Sequence, residues 1–148
     1  LEFCVFEEDV AVIEIVERLY VSGQITRDDL AAAKAQGVTL IINNRPDGES
    51  PDQPPHAEMA AAAAALGLDC VHIPVIGAPD AQAIAAMRTA LAAHEGGALA
   101  YCRSGTRSIT AWALGELASG ARPSAEVADL VARAGYDPMP ILARAGLL

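Results

Sequence analysis

Lysine is almost missing from this chain: Lys34 and nine arginines stand against nineteen acidic residues, leaving a net charge of −9. So acidic a chain repels nucleic-acid backbones and anionic membranes. Neither is an expected partner, and an anionic ligand has to be held locally by arginines and main-chain amides. Cysteine is scarce as well. Cys4, Cys70 and Cys102 are odd in number and widely spaced, which argues against a disulfide framework and fits a reducing, cytoplasmic setting. His56, His72 and His94 are far apart and accompany no acid or cysteine at ligand spacing, so no metal and no other cofactor is expected. Long apolar runs are missing too. The stretch from Met59 to Leu68 falls short of a membrane span, and the N-terminus lacks the basic start of a signal peptide.

Apolar residues, by contrast, make up 53% of the 148 positions, enough for a core that needs neither disulfide nor metal. The expected organisation is an N-terminal strand extension over residues 1–16 and one domain over residues 17–148, without internal repeats. Phe3, Val5, Val10, Val12, Ile13, Ile15 and Val16 are β-branched or aromatic and predict one or two strands. Leu19 to Gln24 reads as a short strand ending in a glycine turn. Thr26 with Asp29 three residues later makes a capping box for a helix from about Arg27 to Gln36, stopped by Gly37. Val38 to Ile42 is a continuous apolar run, as in a parallel strand covered on both faces. The polar segment from Asn43 through Pro55 reads as a surface loop. Glu58 to Leu66 predicts a helix, Cys70 to Val75 a strand, and Asp80 the N-cap of a helix reaching roughly His94. Ala98 to Tyr101 predicts a strand, Ser124 caps a helix to about Ala134, and Pro138 to Ala145 forms a short terminal helix. Strands alternating with helices imply a parallel sheet, with ligands at the carboxyl ends of its strands.

The last of these strands delivers Tyr101-Cys102-Arg103-Ser104-Gly105-Thr106-Arg107-Ser108, beyond which Ile109, Trp112, Ala113 and Leu117 recur at helical spacing. A strand, a tight turn containing Gly105 and a helix start aim backbone N–H groups and the positive helix end at one point, a setting that stabilises a thiolate. Cys102 is therefore the candidate nucleophile, and the amides from Ser104 to Thr106 are candidate anion donors. Arg107 closes the loop with a planar fork suited to an oxyanion. Arg103 either points outward as a solvated charge or steers substrate. Ser108 either donates to the sulfur or is a plain helix-start serine. Arg45 and Asp47, at the carboxyl end of their strand, either line the pocket or solvate the turn. For Asp80 the cap reading is favoured over a general acid that protonates a leaving group.

Leu19 to Gln24, Val38 to Asp47, His72 to Val75, Tyr101 to Ser108 and Ala134-Gly135-Tyr136-Asp137 resemble, in that order, the phosphatase-like domain of beta-lactamase-hydrolase-like proteins. The resemblance implies an α/β fold related to tyrosine and dual-specificity phosphatases, with a mostly parallel four- to five-stranded central sheet flanked by helices. It also implies Cys102 as nucleophile in an anion-binding loop, with residues 17–148 as the catalytic domain. Members of this group are described as phosphatases and as sulfur transferases, and in some relatives the domain is joined to a persulfide dioxygenase, an implied functional partner. Phosphatases of this fold have five residues between cysteine and arginine and usually a histidine before the cysteine. Here four residues intervene and Tyr101 precedes, which is similar to the active loop of rhodanese-type sulfur transferases. The leading expectation is thus a sulfur transferase working through a Cys102 persulfide, with a small sulfane-sulfur anion as donor and a thiol as acceptor. The alternatives are a phosphatase working through a phosphocysteine, with a phosphate-bearing anion as substrate, and a non-catalytic anion-binding or redox-sensing module.

Overall fold

The computed structural model describes residues 3–7 and 10–148, with side chains from Val12 onward; Cys4 lies outside the described side chains. Two antiparallel strands come first, β1 (Phe3–Glu7) and β2 (Val10–Val16), followed by β3 (Leu19–Ser22) and α1 (Arg27–Ala35). The capping box forms as the sequence predicts: the Asp29 amide donates to Thr26 Oγ1 while Asp29 Oδ2 accepts from the Thr26 amide. Next come β4 (Val38–Asn43), α2 (His56–Ala65), β5 (Asp69–His72), α3 (Ala81–Ala92), β6 (Gly97–Tyr101), α4 (Thr106–Ser119), α5 (Ser124–Arg133) and α6 (Met139–Arg144).

All the strands join one sheet in the order β1-β2-β3-β6-β4-β5, with β3, β6, β4 and β5 parallel. The mostly parallel α/β sheet agrees with expectation. Its strand number rises to six because β2 pairs antiparallel to β3 and β1 to β2. Val12 and Ile15 of β2 are buried in the cores on either side of the sheet.

The central strand β6 is buried along its whole length. Ala98 and Ala100 face one core with Ile109 and Trp112 of α4, whereas Leu99 and Tyr101 face the other with Leu30 of α1 and Met59 of α2. Alanines on the α4 side leave room for that helix to pack closely on the strand. Register then brings the strand ends level: Ser22 and Asn43 both pair with Tyr101, and His72 pairs with Asn43. Everything that follows these residues emerges along one edge.

Local differences from the sequence reading have simple causes. Strand β5 stops at His72, not Val75, since Pro74 has no N–H to give a ladder. The amides of Ile73 and Val75 still donate to the carbonyls of Asn43 and Asn44. Helix α2 starts at His56 because Asp47, from the preceding loop, accepts the His56 amide at 2.8 Å. Ser124 stands inside α5, and Pro123 occupies the cap position. Among the described residues no helix is long and apolar enough to cross a membrane.

Candidate active site

Cys102 leaves β6 directly and is fully buried. Three residues later the chain turns through Gly105, at φ +91°, into the first turn of α4, and this left-handed step is open to glycine at little cost. The turn brings the Gly105 N–H within 3.1 Å of Cys102 Sγ, at the positive end of the helix. From the turn after β3, the Gln24 amide donates to the Arg103 carbonyl at 3.3 Å. A Cβ at Gly23 would stand 2.9 Å from that carbonyl, so glycine there lets β3 close against the loop.

Arg107 is aimed by a partner that the sequence reading did not single out. Its Nη1 donates to Glu49 Oε2 at 2.7 Å and to the Val75 carbonyl at 2.8 Å, and its Nη2 donates to Glu49 Oε1 at 2.8 Å. Of the five N–H donors of a guanidinium, these bonds leave Nε–H and one Nη2 hydrogen for the loop or its ligand. The Arg107 hydrogen bonds hold the Glu49 carboxyl down at about 2, aided by Arg45 and opposed by burial. The same pairing raises the Arg107 guanidinium, with the Cys102 charge adding to it. One carboxylate between two arginines leaves the cluster net positive within an acidic protein.

Arg45 does not solvate the turn. It is 4% exposed, and Nε, Nη1 and Nη2 donate to Glu49 Oε1, Gln24 Oε1 and Ser50 Oγ respectively. Each nitrogen of its fork holds one partner inside the protein, so the reading of Arg45 as a residue that solvates the turn is corrected to that of a strut for the Glu49 loop. Ser108 is corrected as well. Its hydroxyl donates to Asn44 Oδ1 at 2.7 Å instead of to the sulfur. The buried Asn44 amide in turn donates to the Ile73 carbonyl at 2.9 Å, and its backbone N–H to the Tyr101 carbonyl at 2.8 Å.

Arg103 is exposed and in no ion pair among the described residues; Asp52 is lowered chiefly by its hydrogen bond from Ser50, with the Arg103 charge a minor addition. Ser104 Oγ donates to Thr106 Oγ1 at 3.0 Å. Asp80 caps α3 by accepting the Ala83 amide at 2.8 Å. Tyr101 buries its ring on the α1–α2 side, and burial pushes its phenol up. A cavity of about 570 Å³ opens beside the loop, lined by Thr106, Arg107, Pro79, Ile109, Tyr136 and Arg144 among others. Cys102 and Asp80 are not in its lining.

Beneath the Glu49 loop, the rings of His56 and His72 stack at 4.2 Å. His72 Nε2 donates to the Arg45 carbonyl at 2.9 Å, and Asn43 Nδ2 donates to His56 Nδ1 at 3.2 Å. Burial, then the neighbouring His72, lowers His56. Burial alone pushes the Cys70 thiol up to about 11, so of the two cysteines with described side chains only Cys102 has a built donor. Glu49, Asn44 and Gln24 were missed in the sequence reading. The signal available was their position just past the ends of strands that run level with Tyr101.

The family model described as "Beta-lactamase hydrolase-like protein, phosphatase-like domain" matches residues 11–119. The chain is 39% identical over 126 residues to a beta-lactamase hydrolase-like protein of Agrobacterium fabrum, covering 84% of this chain and 29% of that protein. It thus spans about three tenths of the length of that curated relative. Among solved structures it is similar to a putative phosphatase of Neisseria meningitidis, with 30% identity, a TM-score of 0.78 and coverage of 89% of this chain and 94% of that one. A likeness in fold alone extends to Tk-PTP, at 18% identity, a TM-score of 0.67 and coverage of 90% and 95%. With a phosphatase-like fold, a cysteine at the floor of its strand-turn-helix loop and a family model spanning most of its length, this chain belongs to the phosphatase-like domain family of beta-lactamase hydrolase-like proteins.

Proposed function

We propose that this domain is a cysteine-dependent sulfur transferase. The observation that carries the reading is the size of the cradle: four residues separate Cys102 from Arg107, with the Gly105 N–H directed at the sulfur. A loop one residue shorter than that of tyrosine phosphatases suits a terminal sulfur better than a tetrahedral phosphoryl group. In the first step the Cys102 thiolate attacks the sulfane sulfur of a donor such as thiosulfate. A Cys102–sulfur bond forms, the sulfur–sulfur bond of the donor breaks, and sulfite leaves with the electron pair. A second thiolate, or cyanide, then attacks the terminal sulfur and releases the Cys102 thiolate. No proton has to be delivered in either step, which is consistent with Asp80 being engaged as a cap. Arg103, Arg107 and the amides from Ser104 to Thr106 neutralise the donor and the persulfide. The setting is cytoplasmic, and a persulfide dioxygenase is a functional partner.

Phosphate ester hydrolysis is the second reading, favoured by the likeness to the Neisseria putative phosphatase. Cys102 would displace the alcohol to form a phosphocysteine, Arg107 would bind the phosphoryl oxygens, and Asp80 would release the Ala83 amide to protonate the leaving oxygen. Thiocyanate formation from thiosulfate and cyanide, and hydrolysis of an aryl phosphate, separate the two. Sulfur transfer predicts the first activity, its loss in Cys102→Ser, and one added sulfur in the intact mass of the wild-type protein after exposure to a sulfane donor. Turnover of the aryl phosphate alone would reject it. A protein inert in both assays that oxidises reversibly at Cys102 would be a sensing module.

A further inference from the structure

The peptide unit between Ser104 and Gly105 is held at both of its polar ends. Its N–H donates to Cys102 Sγ at 3.1 Å, and its C=O accepts the Tyr136 hydroxyl at 3.0 Å. A peptide unit is planar, so fixing the direction of the carbonyl also fixes that of the N–H on the opposite side. A hydrogen bond accepted by the oxygen further polarises the unit and strengthens the N–H as a donor.

Tyr136 reaches this carbonyl from the connection between α5 and α6. Helix α5 ends in a left-handed Gly135, at φ +92°, and the Tyr136 amide folds back to donate to the Val131 carbonyl at 3.1 Å. The chain direction is thereby set for the ring to cross the loop. It also lines the cavity together with Thr106 and Arg107. A Cβ at Gly105 would collide with the Tyr136 hydroxyl, so the missing side chain at 105 serves this contact as well as the turn. Burial, and then the Cys102 charge, raises the phenol, which keeps it protonated and able to donate at neutral pH.

We propose that Tyr136 is a positioning residue: its hydroxyl keeps the Ser104–Gly105 N–H on the Cys102 sulfur and so favours the anionic, reactive form of that sulfur. The inference rests on Cys102 being the reacting atom and is indifferent to whether it carries sulfur or a phosphoryl group.

Tyr136→Phe keeps the ring and removes only the donor. Alkylation of the Cys102-containing peptide by iodoacetamide, followed by mass spectrometry from about pH 5 to about pH 10, reads the reactive sulfur without any substrate. The profile of Tyr136→Phe is expected to move to higher pH. Its rate at neutral pH should fall on the order of threefold to tenfold, with the high-pH plateau unchanged. The thermal midpoint should stay within a few degrees of wild type, since one peripheral hydrogen bond is lost. A profile that superimposes on the wild type, or a rate reduced by one factor at every pH, would overturn the proposal. An unshifted profile in a protein active in sulfur transfer would remove Tyr136 alone, whereas absence of transfer with a shifted profile would remove only the choice of chemistry.

Discussion

The loop after β6 and the loop after β4 leave neighbouring parallel strands at the same edge of the sheet, Tyr101 level with Asn43, and each carries arginine, serine and a glycine. The first turns at once into α4, keeps Arg103, Ser104 and Thr106 exposed, and directs the Gly105 N–H at one sulfur. The second runs from Asn44 to Pro55 and pairs its polar groups within the protein: Arg45 bonds Gln24, Glu49 and Ser50, Asp47 holds the start of α2, and Gln53 bonds the Pro46 carbonyl. Glu49 is the point of contact, reaching across 58 positions of sequence to fix the Arg107 fork. Reactivity and rigidity are thus divided between two adjacent loops.

Breaking the shared floor should have the largest effect. Asn44→Ala strands the Ser108 hydroxyl and the Ile73 carbonyl in a buried site, and the expected loss is about 3 kcal/mol of unfolding free energy, read by urea denaturation. Cutting the link between the loops comes next. Glu49→Gln leaves Arg107 with the Val75 carbonyl but without its bidentate carboxylate and takes the carboxylate from buried Arg45, so kcat/KM for the Cys102-dependent reaction should fall about tenfold, mostly through KM, with a loss of stability smaller than that of Asn44→Ala. The smallest effect concerns acid. His56 binds a proton less readily in the folded protein than its ordinary value of 6.5, so below about pH 6.5 its site takes up more protons in the unfolded chain and its own contribution to stability declines as pH falls. Glu49 works at a different pH. Its folded value near 2 against 4.5 keeps the Arg107 pairing intact until the pH drops from 4.5 towards 2. Melting temperatures of wild type and His56→Gln should therefore converge as the pH is lowered from 7 to 5, a range in which Glu49 contributes no change.

Local signals made much of the frame legible. The Thr26–Asp29 box, the Asp80 cap, the apolar run of β4 and the Cys102-to-Ser108 turn depend on residues within a few positions of one another, and each forms where the sequence places it. The partners of the site were not legible, because they meet through the sheet. Asn44 and Ser108 are 64 positions apart, and Ser104 and Tyr136 are 32 apart. Arg45 misled for a related reason. A charged residue in a Pro- and Gly-rich stretch ordinarily reads as solvated, and only the fold reveals that Glu49, Gln24 and Ser50 surround it. The antiparallel arm was foreseen as strands, but nothing local says which sheet edge such strands join.

Asn44 gives the site a common origin of coordinates. Its backbone N–H fixes the carbonyl of the residue just before Cys102, and its side chain fixes the hydroxyl of the residue just after Arg107 and the carbonyl two positions before Val75. Sulfur, guanidinium and the carbonyl that steadies the guanidinium are all measured from one residue that touches none of them. One buried amide side chain and one backbone N–H therefore set where the loop leaves the sheet and where it enters its helix.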